Sequence, residues 1–97
     1  MERTYKRRFE EVYNAAKRAL RELDMNIEYE NRNNGIIEAT TRTSFLSWGE
    51  DIQVRISRRS SDTHVKVKST SKAQLLSWGK NDTNEENILK EIAQNLR

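Results

Sequence analysis

Apolar positions along this chain recur first at helical spacing and then in strict alternation. Tyr5, Phe9, Val12, Ala16, Leu20 and Leu23 follow steps of three and four, widened by Ala15 and Ala19, which predicts an amphipathic helix over residues 3–23. Asp24-Met25-Asn26 ends it, and alternation begins. Ile27 and Tyr29 are read as inward with Glu28 and Glu30 outward, and Asn33-Asn34-Gly35 predicts a two-residue hairpin turn. Ile37, Ala39 and Thr41 then face inward, followed by Ile52, Val54 and Ile56 in the cleanest period-2 run. After the turn at Arg59-Ser60-Ser61-Asp62, Val65 and Val67 point in while His64, Lys66 and Lys68 point out. Thr83 with Glu86 forms a capping-box pattern, opening a last helix that buries Ile88, Leu89, Ile92, Ala93 and Leu96.

The element order is therefore α-β-β-β-β-α. Single apolar stripes on the helices and a single apolar face on each strand predict an α+β, two-layer domain spanning residues 1–97. Its sheet is a four-stranded antiparallel meander with both helices on one face. Following such a meander up and down brings two related stretches to one end of the sheet. These are Leu46-Ser47-Trp48-Gly49 and Leu76-Ser77-Trp78-Gly79, which hold both tryptophans.

Composition narrows the function. Hydrophobic and charged residues each make up 34% and mean hydropathy is −1.01, so the core is thin. The absence of cysteine excludes disulfides and thiolate chemistry. Eighteen basic against fifteen acidic residues give +3, a mixed surface rather than the surplus of a dedicated nucleic-acid binder. No run approaches the roughly 18 apolar residues of a membrane span. Residues 1–6 have no apolar signal core, so the chain as written reads as soluble and cytoplasmic, or as envelope-associated if a signal has been removed.

Two readings compete for the Trp-bearing end. In the plainer one, which the sequence favours, Trp48 and Trp78 plug the open end of a thin core. In the sharper one, Trp48, Trp78, Lys72, Lys80 and Asn81 form a ligand or partner site beside a helix N-terminus. A weak, sequence-independent nucleic-acid contact through Arg55, Lys66 and Lys68, with Arg7 and Arg8 nearby, is the alternative. It lacks the aromatic platforms of sheet-face readers. No zinc-spaced ligands, phosphate loop or carboxylate dyad is legible: His64 stands alone as an exposed histidine, and Glu50 and Asp51 are adjacent and point opposite ways. The expectation is a non-catalytic binding or interaction module with no cofactor, no metal and an unidentified protein or small-ligand partner.

Val65, Val67 and Ser69, then Trp78, Gly79 and Asn81, then Asn87 and Ile88 form a pattern. It resembles small uncharacterised bacterial helix–four-strand–helix domains, in which a Val-x-Val-x-Ser strand is followed by Trp/Asp-x-Gly-x-Asn and an Asn-Ile helix start. Trp48, Gly49 and Glu50 before Ile52 and Val54 fit the same pattern. The resemblance implies this fold, an envelope or lipoprotein setting and no assigned activity.

Overall fold

The computed structural model describes residues 1–42, 49–71 and 80–97. Its elements are β1 (Glu2–Tyr5), α1 (Phe9–Glu22), β2 (Asn26–Asn31), β3 (Ile36–Thr40), β4 (Glu50–Arg59), β5 (Asp62–Ser71) and α2 (Lys80–Asn95). The strands form one antiparallel sheet in the order β1-β5-β4-β3-β2. The α+β class, the β2–β5 meander and the two helices agree with the sequence pattern. The strand count does not: there are five strands.

The extra strand corrects the first helix. Residues 2–5 pair with Lys66–Thr63 of β5, and α1 begins only at Phe9. Tyr5 lies one helical turn before Phe9, so its burial suits a helix as well as a strand. Pairing with the otherwise open backbone of β5 decides the matter, and the Tyr5 hydroxyl then donates to the Leu89 carbonyl of α2 at 2.8 Å. The basic run Lys6-Arg7-Arg8 is the connection, fixed by a 2.7 Å bond from the Thr63 hydroxyl to the Arg7 carbonyl.

Helix α1 ends as the sequence suggests, through a Schellman arrangement. Asp24 takes φ +60, its N–H donates to Arg21 O, and Met25 N–H donates to Leu20 O at 2.9 Å. Met25 and Leu20, which this closure brings together, are both buried. At the other end of the chain, α2 starts at Lys80, so Thr83 lies inside the helix rather than at its cap.

Both helices lie on the sheet face that carries Ile37, Ala39, Ile52, Val54, Ile56, Val65 and Val67. Phe9, Val12, Ala16 and Leu20 of α1 join Ile88, Leu89 and Ile92 of α2, and Leu96 just past its end, in this core, as their stripe predicts. Tyr13, absent from that stripe, is also fully buried. Its ring stacks on Phe9 at 5.9 Å and is capped by the Arg32 guanidinium at 4.4 Å.

Strand β2 corrects a second expectation. A bulge between Ile27 and Tyr29 places Tyr29 opposite Glu38 and Glu30 opposite Ile37. One residue of slip reverses the faces. Tyr29 is therefore 50% exposed, whereas Glu30 reaches the helical layer, bonding the Tyr13 hydroxyl and the Lys17 ammonium. The loop that follows is four residues long, from Arg32 to Gly35, not two. Asn34 N–H bonds the Asn31 side chain, and Gly35 alone in the loop takes positive φ, +68. The β4–β5 turn is the short one: Arg59 pairs with Asp62, and Ser60 takes φ +56.

Candidate functional site

The strand registers place the bases of both Trp-bearing connections side by side. Thr40 pairs with Asp51 and Glu50 with Ser71, so one connection joins β3 to β4 and the other leaves β5 for α2 from the same end of the sheet. Trp48, Trp78 and Lys72 lie outside the described residues. Lys80 is the first residue of α2.

What the structure builds at this end is a partly buried polar network around two buried residues, Glu50 and Ser69. Glu50 is only 2% exposed. Its Oε1 accepts from the Thr41 hydroxyl at 3.0 Å and from Asn84 Nδ2 at 3.1 Å, while its own N–H donates to Thr41 Oγ1 at 2.7 Å. Thr41 N–H also donates to Glu50 O, so these two residues clamp the base of the first connection. Gly49 completes the clamp at φ +90, where a Cβ would stand 2.9 Å from Thr41 O. The glycine after the first tryptophan is thus a backbone requirement.

The second connection is anchored through Ser69 and Asn81. The Ser69 hydroxyl donates to Asn81 Oδ1 at 2.7 Å, and Asn81 Nδ2 donates to Ser71 Oγ at 3.0 Å. Asn84 Nδ2 also reaches Ser69 Oγ at 3.3 Å, linking the two halves. On the β1 side of β5, Glu85 Oε2 of α2 accepts from Ser69 N–H at 2.8 Å, while its Oε1 lies 3.4 Å from the Met1 ammonium. Among the predicted site residues, only Asn81 is seen to join this network. Glu50, Ser69, Asn84 and Glu85 are not among the site residues that the sequence predicts, although Glu50 and Ser69 belong to the pattern of the resemblance. The available signal was polar residues at inward strand positions: Ser69 continues the Val65–Val67 alternation, and Glu50 precedes Ile52 by two.

The open face carries the other predicted residues. Arg55 pairs with Lys66 and Gln53 with Lys68, and these four line a shallow depression of about 170 Å³. A neighbouring depression of about 330 Å³ runs from Gln53 and Lys68 to Glu38, Asp51 and Thr70. Arg7 and Arg8 do not join them. Both bond Glu11 on α1, at 3.2 and 3.3 Å, and Arg8 with Arg7 holds that carboxyl below its usual range.

His64 points to the open face, as expected, but it is not exposed. Strand β1 lies against it, leaving it 9% exposed, with Nε2 2.6 Å from Glu2 Oε1 and Nδ1 3.1 Å from Thr4 Oγ1. The hydrogen bond to His64 is the largest influence holding the Glu2 carboxyl below its usual range, with the nearby Lys66 charge adding to it. Hydroxyl, imidazole and carboxylate are thus in contact. Acyl-transfer chemistry would also need donors aimed at a developing oxyanion and a cleft for substrate. Among the described residues, the two depressions of the open face given above are lined by other residues, and the trio fastens β1 to β5. Among the described residues no group of three or more metal-ligating side chains converges, and no helix is long and apolar enough to cross a membrane.

Over residues 2–92 the chain matches the family described as proteins of unknown function, DUF1499. It belongs to that family. The match covers β1 through most of α2, so the edge strand and the polar network both fall within the DUF1499 region. No curated protein matches the chain.

Proposed function

We propose that this DUF1499 domain is a non-catalytic binding module whose contact surface is the sheet end from which the two Trp-bearing connections leave. The observation that carries the reading is the network of Glu50, Thr41, Ser69, Asn81, Asn84 and Glu85 at their base. A simple core plug calls for apolar surroundings. Here a buried carboxylate and its partners instead lock β4, β5 and α2 to one another. Burying these groups is costly unless each is bonded, so the arrangement serves to hold geometry rather than to add stability. A firmly bonded base for the two connections whose sequences carry the tryptophans is what a site needs to present aromatic contacts at low entropic cost.

Two measurements test this. Trp emission and acrylamide quenching report whether Trp48 and Trp78 meet solvent. Native mass spectrometry on protein gently purified from its own host, with and without nuclease, reports any retained ligand or partner. The expected result is red-shifted, readily quenched emission, together with a nuclease-resistant bound mass that Trp48→Ser or Trp78→Ser removes without lowering the melting temperature. Blue-shifted, protected tryptophans in a bare monomer would sink the proposal and leave the plug.

A further inference from the structure

We infer that Gln53, Arg55, Lys66 and Lys68 form a site for a compact oxyanion of the phosphate class, on the open sheet face and independent of the Trp-bearing end. Like charges directly across an antiparallel pair repel, yet Arg55 stands opposite Lys66, and Lys68 follows two residues on along the same face. All three are exposed, and among the described residues none lies within ion-pair distance of an acid. The nearest candidate across β1, Glu2, turns its carboxylate to His64 at 2.6 Å. Three cations are thus gathered around a depression of about 170 Å³ with no acid in its lining, Glu2 acting on Lys66 only from beyond ion-pair distance, and Gln53 adds a neutral amide donor.

The surroundings select a small anion over a polymer. Glu38 lies opposite Gln53 on one side, Asp51 continues the same face of β4, and Glu2 closes the β1 side. A nucleic-acid backbone crossing the sheet would leave the cations and meet these carboxylates within a strand or two, each strand being about 4.8 Å wide. A single phosphate group fits inside the ring. Lysine and arginine supply charge-assisted hydrogen bonds to it, and arginine adds bidentate geometry.

The test is an NMR titration of ¹⁵N-labelled protein with inorganic phosphate and with pyrophosphate, against sodium chloride at matched ionic strength. Saturable shifts centred on Gln53, Arg55, Lys66 and Lys68 are expected with the phosphates and not with chloride. Arg55→Gln and Lys68→Gln should each weaken binding about tenfold or more, and Lys17→Gln, on the helical layer, less than about twofold. Sedimentation with phosphatidylcholine vesicles, with and without phosphatidic acid, separates a lipid headgroup from a soluble phosphate as the source. Linear, chloride-like shifts would overturn the site. So would a single-stranded oligonucleotide that binds far more tightly than pyrophosphate and shifts the Glu38 and Asp51 amides, because the surface would then be reading a polymer.

Discussion

Gly35→Ala is the sharpest test of the hairpin geometry. Gly35 closes the β2–β3 loop at φ +68, and its carbonyl accepts from Ile56 N–H of β4 at 2.7 Å. A Cβ placed there would stand 1.9 Å from Ile56 O and 3.2 Å from Phe9 Cε2. The first contact is with backbone of a strand paired on both sides, so the loop must move and not the strand. Left-handed backbone costs a non-glycine residue about 1–2 kcal/mol. Overpacking against Ile56 and Phe9 adds about 1–3 kcal/mol, and weakening the Ile56 bond about 1 kcal/mol. The expected loss of about 3–6 kcal/mol is a large share of the roughly 5–15 kcal/mol available to a domain of this length. Urea unfolding followed by far-UV circular dichroism should show a much lower midpoint at unchanged slope, with the thermal midpoint down by about 15–30 °C. Asn34→Ala in the same loop should change stability by less than about 0.5 kcal/mol. A Gly35→Ala protein within about 1 kcal/mol of the parent would refute the close approach of loop and β4.

Three further outcomes follow from the geometry. Asp24→Gly should stabilise by about 0.5–1 kcal/mol in chemical denaturation, because glycine adopts the φ +60 closure of α1 without the side-chain penalty, and the 3.7 Å contact of Asp24 with Arg42 is between exposed groups. The β2 bulge predicts opposite fates for two tyrosines: Tyr29→Thr should alter stability by less than about 0.5 kcal/mol, and Tyr13→Ala should cost about 3–5 kcal/mol by the same assay. Burial pushes the Tyr5 hydroxyl up to about 12, so the folded state holds that proton more tightly than the unfolded chain does. Its contribution should be complete below the ordinary tyrosine value of about 10 and lost as pH rises through about 12. Absorbance titration near 295 nm should lose this late component in Tyr5→Phe.

Much of the architecture is legible from spacing, because periods of 3.6 and 2 report directly which face of an element meets a core. The stripes of α1 and α2, the alternation of β3, β4 and β5, and the convergence of the two Trp-bearing connections all follow from that rule. The rule weakens where an element is short. Glu2–Tyr5 offers a single buried residue, and Tyr5 satisfies either period, so spacing alone merges the strand with the helix beside it. Without β1 the environment of His64 is not legible either, since its ring bonds Glu2 and Thr4 of that strand.

The sequence by itself determined the two layers, the helix and meander order, and the faces of the long strands, since burial of a thin apolar set leaves few alternatives. Tertiary structure decided whatever depends on a partner distant in the chain. The edge of β5 recruited residues 2–5, a single bulge turned Tyr29 out and Glu30 in, and α2 supplied the amides that let Glu50 and Ser69 lie inward. A polar side chain reads as solvent-facing until a bonding partner removes the cost of burying it, and for Glu50 that partner, Asn84, lies 34 residues away.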